Sequence, residues 1–446
     1  MPPHLKDVFV AIKSFCTEST IHGVLYLVNF KLHPMERIFW LLIIISALTG
    51  GILASLSNWN RYLANPTVVS IEKDFRNWNN LFPAATGCLL NKVDENKAEI
   101  YILKTWGLNK NDNNYDYYLS FVEVVSNISY LNLNDFNRFK NDSNLENIDM
   151  LNLALAVHPD IDGILVTSDL KVQSTWEMIL TELGVCFTMN SKYSNLIRVD
   201  LNTSKEESHL QSCHYLNGLC YARYDTESDS SINFYIHSPL DIVHSSSELP
   251  WLVGSSQEVE INYRMQETAS DYNLKSLSPY QRKCRFEDEP LEENLGIFST
   301  TFCYVSCRYK KMINLCGCAP YFYKTFNEEA KICNVSGLLC AAKFAKLIVE
   351  PPSKFGCECP QPCNIIRYLP QIPKITYWEF GYFDQRLTFR WGLLPPTTKY
   401  RRKVLFSFED LIVSFGGAIA LFLGSSFISI IEIIYCLIKY LFKLNF

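Results

Sequence analysis

Two apolar runs stand out along a chain whose remaining positions mix polar and hydrophobic residues. The first, Ile38–Leu56 (IFWLLIIISALTGGILASL), carries no charge. A helix that crosses a bilayer needs about 20 consecutive apolar residues, so this run predicts a transmembrane helix over 38–57. The second run extends from Leu411 to Ile438 and differs in kind. It holds Gly424-Ser425-Ser426 near its middle and a carboxylate, Glu432, two turns later. A helix that only anchors has no use for either, and an ionisable group at bilayer depth is a functional suspect. The pattern predicts a pore-forming span over 405–438. Short segments remain at 1–37 and 439–446, and a large intervening region at 58–404.

Within 58–404 the patterning is that of a globular domain. Asn60–Ile71 alternates as a strand opened by a proline turn, and Phe82–Cys88 begins another. The stretch 89–180 is rich in Asn, Asp and Glu and reads as surface helices and loops, with helical spacing at Trp176–Leu183. Leu183–Asn190 and Ile232–Pro239 read as strands, and Thr388–Trp391 as a final strand returning to the membrane. There is no internal repeat and no low-complexity tract.

Composition narrows the class. A net charge of −5 over 446 residues makes no case for nucleic acid. A signal peptide is the rival to the first span, but 37 residues precede Ile38 and no clean cleavage site follows. Of the 16 cysteines, 14 fall between Cys88 and Cys363, with only Cys16 and Cys436 outside. An even, dense set implies an oxidising compartment. Four N-x-S/T sequons, at Asn127, Asn141, Asn202 and Asn334, lie in the same block. Cys316-Gly-Cys318 and Cys357-Glu-Cys359 lack partnering histidines at zinc-like spacing. Both termini are then expected in the cytoplasm. Basic residues flank both runs, but long loops translocate largely regardless of charge, so cysteines and sequons decide the topology. No nucleophile elbow, HExxH or phosphate loop points to an enzyme.

From Cys284 onward the cysteine steps are 19, 4, 9, 2, 15, 7, 17, 2 and 4. With His22-Gly23, Phe82-Pro-Ala-Ala-Thr-Gly-Cys88, Leu183-Gly-Val-Cys186-Phe-Thr-Met-Asn190, Phe406-Ser-Phe-Glu-Asp-Leu, Gly424-Ser-Ser and Glu432, the chain resembles the degenerin and epithelial sodium channel superfamily, most closely its insect pickpocket branch. The likeness is poorest over 89–180. It implies an α+β membrane protein, with two transmembrane helices flanking a disulfide-rich ectodomain built of a palm β-sheet and a helical finger and thumb. It also implies a homo- or hetero-trimer of related subunits in the plasma membrane, with sodium as permeant ion and no cofactor. The implied activity is an amiloride-sensitive, sodium-selective, non-voltage-gated channel opened by a stimulus the sequence does not name.

The resemblance carries over residue by residue. It implies the bridges Cys284–Cys363, Cys303–Cys359, Cys307–Cys357, Cys316–Cys340 and Cys318–Cys333 as a thumb ladder over 284–363. Cys88–Cys186 matches a bridge near the palm, and Cys213 and Cys220 remain as the last pair. Gly424, Ser425 and Ser426 match a selectivity motif at which the second helix breaks and its second half swaps with a neighbour's. From the segment alone the alternatives stay open, because Ala420-x-x-x-Gly424 is also a small-residue packing pattern. Glu409 and Asp410 are either acidic rings at the outer pore or a helix start whose acids suit the dipole. His22-Gly23 matches a gating dipeptide in a re-entrant loop. Val413, beside Ser414, stands where relatives usually carry a small gating residue, which implies a readily opened pore. Three other readings share parts of this pattern. They are a trimeric ATP-gated channel, whose cysteines are fewer and differently spaced, an accessory or non-conducting subunit needing a paralogue, and a secreted protein cleaved after the first helix.

Overall fold

The computed structural model describes residues 13, 16–17, 19–168, 175–199, 210–227, 230–291, 296–325, 331–350, 354, 356–379, 385–426, 428–429, 431–435 and 438. The chain forms two compact units. One comprises Met1–Val69, Asp271–Arg282 and Arg402–Phe446, the other Ser70–Ser270 and Lys283–Arg401. The main helices, in chain order, are α1 (Pro34–Ala64), α2 (Glu95–Trp106), α3 (Tyr115–Ser126) and α4 (Met150–Ala156). They are followed by α5 (Thr300–Cys316), α6 (Val335–Val349) and α7 (Phe408–Leu423).

In the first unit, α1 starts on a cap: His33 Nδ1 accepts from the Met35 N–H at 3.3 Å, with Pro34 at the first helical position. The helix outruns the apolar stretch at both ends. Asn60–Ala64, expected to open a strand, is its last turn, because nothing breaks the helix until Pro66 restricts the residue before it. Among the described residues α1 is the one helix long and apolar enough to cross a membrane. The second apolar run forms α7 only as far as Leu423, where Gly424 takes a left-handed conformation with φ 60°. Helical geometry resumes at 428–429 and 431–435. The helices α1 and α7 pack closely at a glycine pair: a Cβ on Gly50 would lie 2.6 Å from the Phe422 ring.

Among the described residues the second unit holds fifteen strands or parts of them. The first seven are β1 (Thr67–Glu72), β2 (Asn79–Leu81), β3 (Ala84–Leu89), β4 (Ile164–Thr167), β5 (Glu177–Thr181), β6 (Gly184–Met189) and β7 (Ser212–His214). Then come β8 (Cys220–Glu227), β9 (Ile232–His237), β10 (Trp251–Val253) and β11 (Gln257–Ser270). The last four are β12 (Ile365–Pro370), β13 (Lys374–Tyr377), β14 (Arg386–Leu394) and β15 (Lys399–Val404). The large sheet runs β1-β15-β11-β14-β8-β4, with β12 and β13 also on β11. Its centre is the parallel β11–β14 pair, and Phe389 and Trp391 on β14 are fully buried, as a central strand requires. A five-stranded sheet, β10-β9-β3-β6-β5, lies beside it in the same core.

The expected strands at Phe82–Cys88, Leu183–Asn190 and Ile232–Pro239 are β3, β6 and β9. Thr388–Trp391 lies in β14, which is followed by one further strand, β15. The stretch 89–180 departs from the expectation. Its helices α2–α4 surround a core of Phe121, Val122, Phe136, Phe139, Leu145 and Leu153 that is essentially inaccessible to solvent. Its polar residues act as caps instead: Asp94 accepts from the Lys97 N–H, and Asp149 from the N–H groups of Leu151 and Asn152. Trp176–Leu183 is not helical. Gly184, with φ 88°, turns the chain and makes β5 the hairpin partner of β6.

Seven disulfides lie in this unit: Cys88–Cys186, Cys213–Cys220, Cys284–Cys363, Cys303–Cys359, Cys307–Cys357, Cys316–Cys340 and Cys318–Cys333. Cys303 and Cys307, one turn apart on α5, are tied to Cys359 and Cys357 in nested order, and Cys316–Cys340 joins α5 to α6. Cross-links of this kind contribute about 2–4 kcal/mol each. Cys16 is a free, buried thiol, and Cys436 lies outside the described residues.

Candidate pore-lining site

The break in the second apolar run is the chemical centre of the first unit. Ending α7 at Leu423 strands backbone carbonyls that a continuous helix would satisfy. The Gly424 N–H still reaches Ala420 O at 2.9 Å, closing the last turn. The carbonyls at the break itself are taken by His22: its backbone N–H donates to Leu423 O at 3.2 Å, and its Nδ1 to Gly424 O at 3.2 Å. The second contact requires the tautomer protonated at Nδ1. Glycine is needed at 424 on two counts. Its φ is one that side chains avoid, and a Cβ there would lie 1.9 Å from His22 Nδ1. Gly23, with φ 86°, turns the chain behind His22 into the short helix Val24–Val28. The structure therefore brings together two sequence features 402 residues apart, the His-Gly dipeptide and the Gly-Ser-Ser break.

The three residues of the break differ in environment. Gly424 and Ser426 are exposed, while Ser425 is buried and faces a cavity of about 620 Å³ between α1 and α7. Ser429, absent from the sequence-based expectations, is buried at 2% exposure. Its Oγ lies 2.6 Å from the Thr20 hydroxyl and accepts from the Ser426 N–H at 3.1 Å. Glu432 is half-buried, and its Oε2 accepts from Thr20 Oγ1 at 2.9 Å. Neither Thr20 nor Ser429 carries a signal of its own in the sequence; only spacing from His22 and from Gly424 points to them.

At the other end of α7, Asp410 and Ser407 form a capping box. Ser407 Oγ accepts from the Asp410 N–H, and Asp410 Oδ2 accepts from the Ser407 N–H at 2.9 Å. Asp410 thus terminates the helix, whereas Glu409 is exposed with no such duty. Val413 is 73% exposed and Leu421 81% exposed. Among the described residues nothing approaches within 4 Å of a Cβ built on Gly416 or Gly417, so one long apolar face of α7 is left uncovered by them. Ser414 is half-buried beside it. Of the sequons, Asn141 and Asn334 are exposed, Asn127 is half-buried, and Asn202 lies outside the described residues. Among the described residues no cluster of His, Cys, Asp and Glu could hold a metal ion.

The sequence match that spans both the ladder and the break is decisive. The family model described as "Amiloride-sensitive sodium channel" matches residues 15–436. The chain belongs to this family, the degenerin and epithelial sodium channel superfamily. Among its relatives is the sodium channel protein Nach of Drosophila ananassae, 24% identical, with 94% of this chain and 85% of that protein covered. Pickpocket protein 19 of Drosophila melanogaster is 22% identical over 94% of this chain and 89% of its own length. Acid-sensing ion channel 1A of Danio rerio is 22% identical, covering 96% and 88%. The insect relatives place the chain in the pickpocket branch. The family consists of ion channels of the plasma membrane that assemble as multimers of related subunits, not of enzymes.

Proposed function

We propose that this chain is one subunit of a trimeric, amiloride-sensitive, sodium-selective cation channel. Residues 38–57 and 405–438 span the membrane, both termini lie in the cytoplasm, and 58–404 form the ectodomain. The observation that carries the reading is the helix break at Gly424, held open by His22. A cation crossing a narrow pore must exchange water for protein oxygens, and a broken helix supplies them where an intact one does not. Gly424, Ser425 and Ser426 form the filter, with Glu432 beyond it and Glu409 at the outer mouth. Asp410 takes part in the mouth through the cap it makes. The uncovered face of α7 around Val413, Gly416 and Gly417 is the surface that two further subunits cover. His22 and Gly23 act in gating by gripping the break.

Two-electrode voltage clamp of the expressed full-length chain tests this. Sodium current that shrinks when potassium replaces sodium and is blocked by amiloride supports it. Absence of sodium current both alone and with a co-expressed paralogue overturns it.

A further inference from the structure

Thr20 precedes His22 by two residues and plays no part in the grip on the Leu423 and Gly424 carbonyls. Its hydroxyl lies 2.6 Å from Ser429 Oγ and 2.9 Å from Glu432 Oε2. An ionised carboxylate can only accept hydrogen bonds. The Thr20 O–H therefore donates to Glu432, and the Thr20 oxygen accepts from the Ser429 hydroxyl. Ser429 Oγ in turn accepts from the Ser426 backbone N–H at 3.1 Å. The direction of every bond in this series is fixed by the carboxylate at its end.

We infer that Thr20 is a selectivity-determining positioning residue, which couples the Glu432 charge to the Ser426 peptide through Ser429. The inference rests on reading Gly424–Ser426 as the filter. Hydrogen bonds in series polarise one another, and those that end on an ionised group are the strong ones. The relay therefore holds the Ser426 amide away from the ion path and stiffens the peptide that selects the ion. Thr20 touches no permeant ion in this scheme. This grip is separate from that of His22, which satisfies carbonyls, whereas Thr20 orders an amide and a carboxylate.

The test uses the full-length chain with two readouts. In reversal-potential measurements with sodium on one side and potassium on the other, Thr20→Val lowers the sodium-to-potassium permeability ratio about two- to tenfold, the factor expected from one lost hydrogen bond. Thr20→Ser, which keeps the hydroxyl, restores the ratio, and Ser429→Ala adds nothing further to Thr20→Val. An unchanged ratio in Thr20→Val overturns the inference, as does an equal fall in Thr20→Ser. The second readout needs no current: Thr20→Cys with Ser429→Cys forms a disulfide on mild oxidation, seen by mass spectrometry of the digested chain. Failure to cross-link overturns the relay. A wild-type chain that carries no current counts against the channel reading, and the cross-link then upholds or overturns the contact by itself.

Discussion

Arg308 Nη1 lies 2.8 Å from Glu182 Oε2, and each side chain is 1% exposed. Glu182 sits at the β5–β6 turn and Arg308 on α5, so the pair joins the disulfide-braced helix to the five-stranded sheet. Further hydrogen bonds support both side chains. Tyr323 donates to Glu182 Oε1 at 2.6 Å, the Ser245 N–H and O–H donate to Oε2 at 2.9 and 2.7 Å, and Arg308 Nε donates to Ile348 O at 3.2 Å. Burial, with the Glu182 charge next, holds the Tyr323 phenol well above its usual range, so it stays a donor. A buried charge that loses its partner costs about 3–5 kcal/mol, while an apolar pair of similar volume is often tolerated. Arg308→Met should therefore abolish surface delivery and lower the ectodomain melting temperature steeply. Arg308→Met with Glu182→Met should recover much of both, read by surface biotinylation and thermal unfolding.

Gly424→Ala places a methyl group where the His22 ring lies and strains the left-handed backbone by about 1 kcal/mol or more. The two effects separate on mutation. Gly424→Ala should abolish current while surface expression persists. Adding His22→Ala, which removes the ring that clashes, should return part of the current without restoring wild-type gating. Recordings paired with surface labelling check this; a silent double mutant with normal surface levels contradicts it.

The elements legible in the sequence were those with one dominant local signal. The apolar run of α1 and the strand segments of β3, β6 and β9 each point to one structure, whereas the hairpin at Gly184 is masked by the helical spacing of Trp176–Leu183. The helical core at 89–180 was misjudged because its Asp and Asn residues read as solvent-facing, whereas Asp94 and Asp149 are helix caps adjoining a buried aromatic cluster. The break at Gly424 was visible, but its partner was not. His22 reaches Leu423 and Gly424 through tertiary packing, and no periodicity encodes a contact of that range. The Thr20–Ser429–Glu432 series was hidden for the same reason.

Burial pushes the Asp241 carboxyl up from 3.8 to about 6, with a weak hydrogen bond from Thr301 at 3.4 Å opposing the shift. The unfolded chain thus releases this proton before the folded one does. Below pH 4 the group is neutral in both states and has no effect. As pH rises through 4 to 6 it favours unfolding, and above pH 6 the penalty levels off at about 2–3 kcal/mol. His237 and His244, lowered by burial to about 4, act oppositely over part of this window: they destabilise the fold as pH falls from 6.5 to 4. Comparing Asp241→Asn with wild type isolates the carboxylate. The variant should melt higher at pH 7.5 and alike at pH 4.

The sequons should differ in occupancy. Asn127 closes the end of α3: its Nδ2 donates to Glu123 O at 3.0 Å, and its Oδ1 accepts from the Lys92 N–H at 3.3 Å. A glycan on that nitrogen disturbs the turn. Asn141 is exposed, and Asn334 caps α6 through Oδ1, which accepts from the Gly337 N–H at 3.0 Å, leaving its nitrogen out of the cap. Glycopeptide mass spectrometry should find Asn141 and Asn334 occupied and Asn127 bare. Asn127→Gln should leave the gel mobility of the mature chain unchanged.

Val413 carries a β-branched side chain, 73% exposed, on the face of α7 that no described residue covers. If two further subunits bring their own α7 helices to this face, three such side chains meet near the axis, and bulk there resists the closest approach of the helices. A glycine removes that resistance and lets the closed arrangement pack more tightly. Val413→Gly should lower the resting open probability, read by single-channel recording in the absence of added stimulus. A resting open probability near zero in wild type, unchanged in Val413→Gly, contradicts the reading. Ser414→Ala, half-buried at the next position, serves as the control: it should leave the resting value closer to wild type than Val413→Gly does.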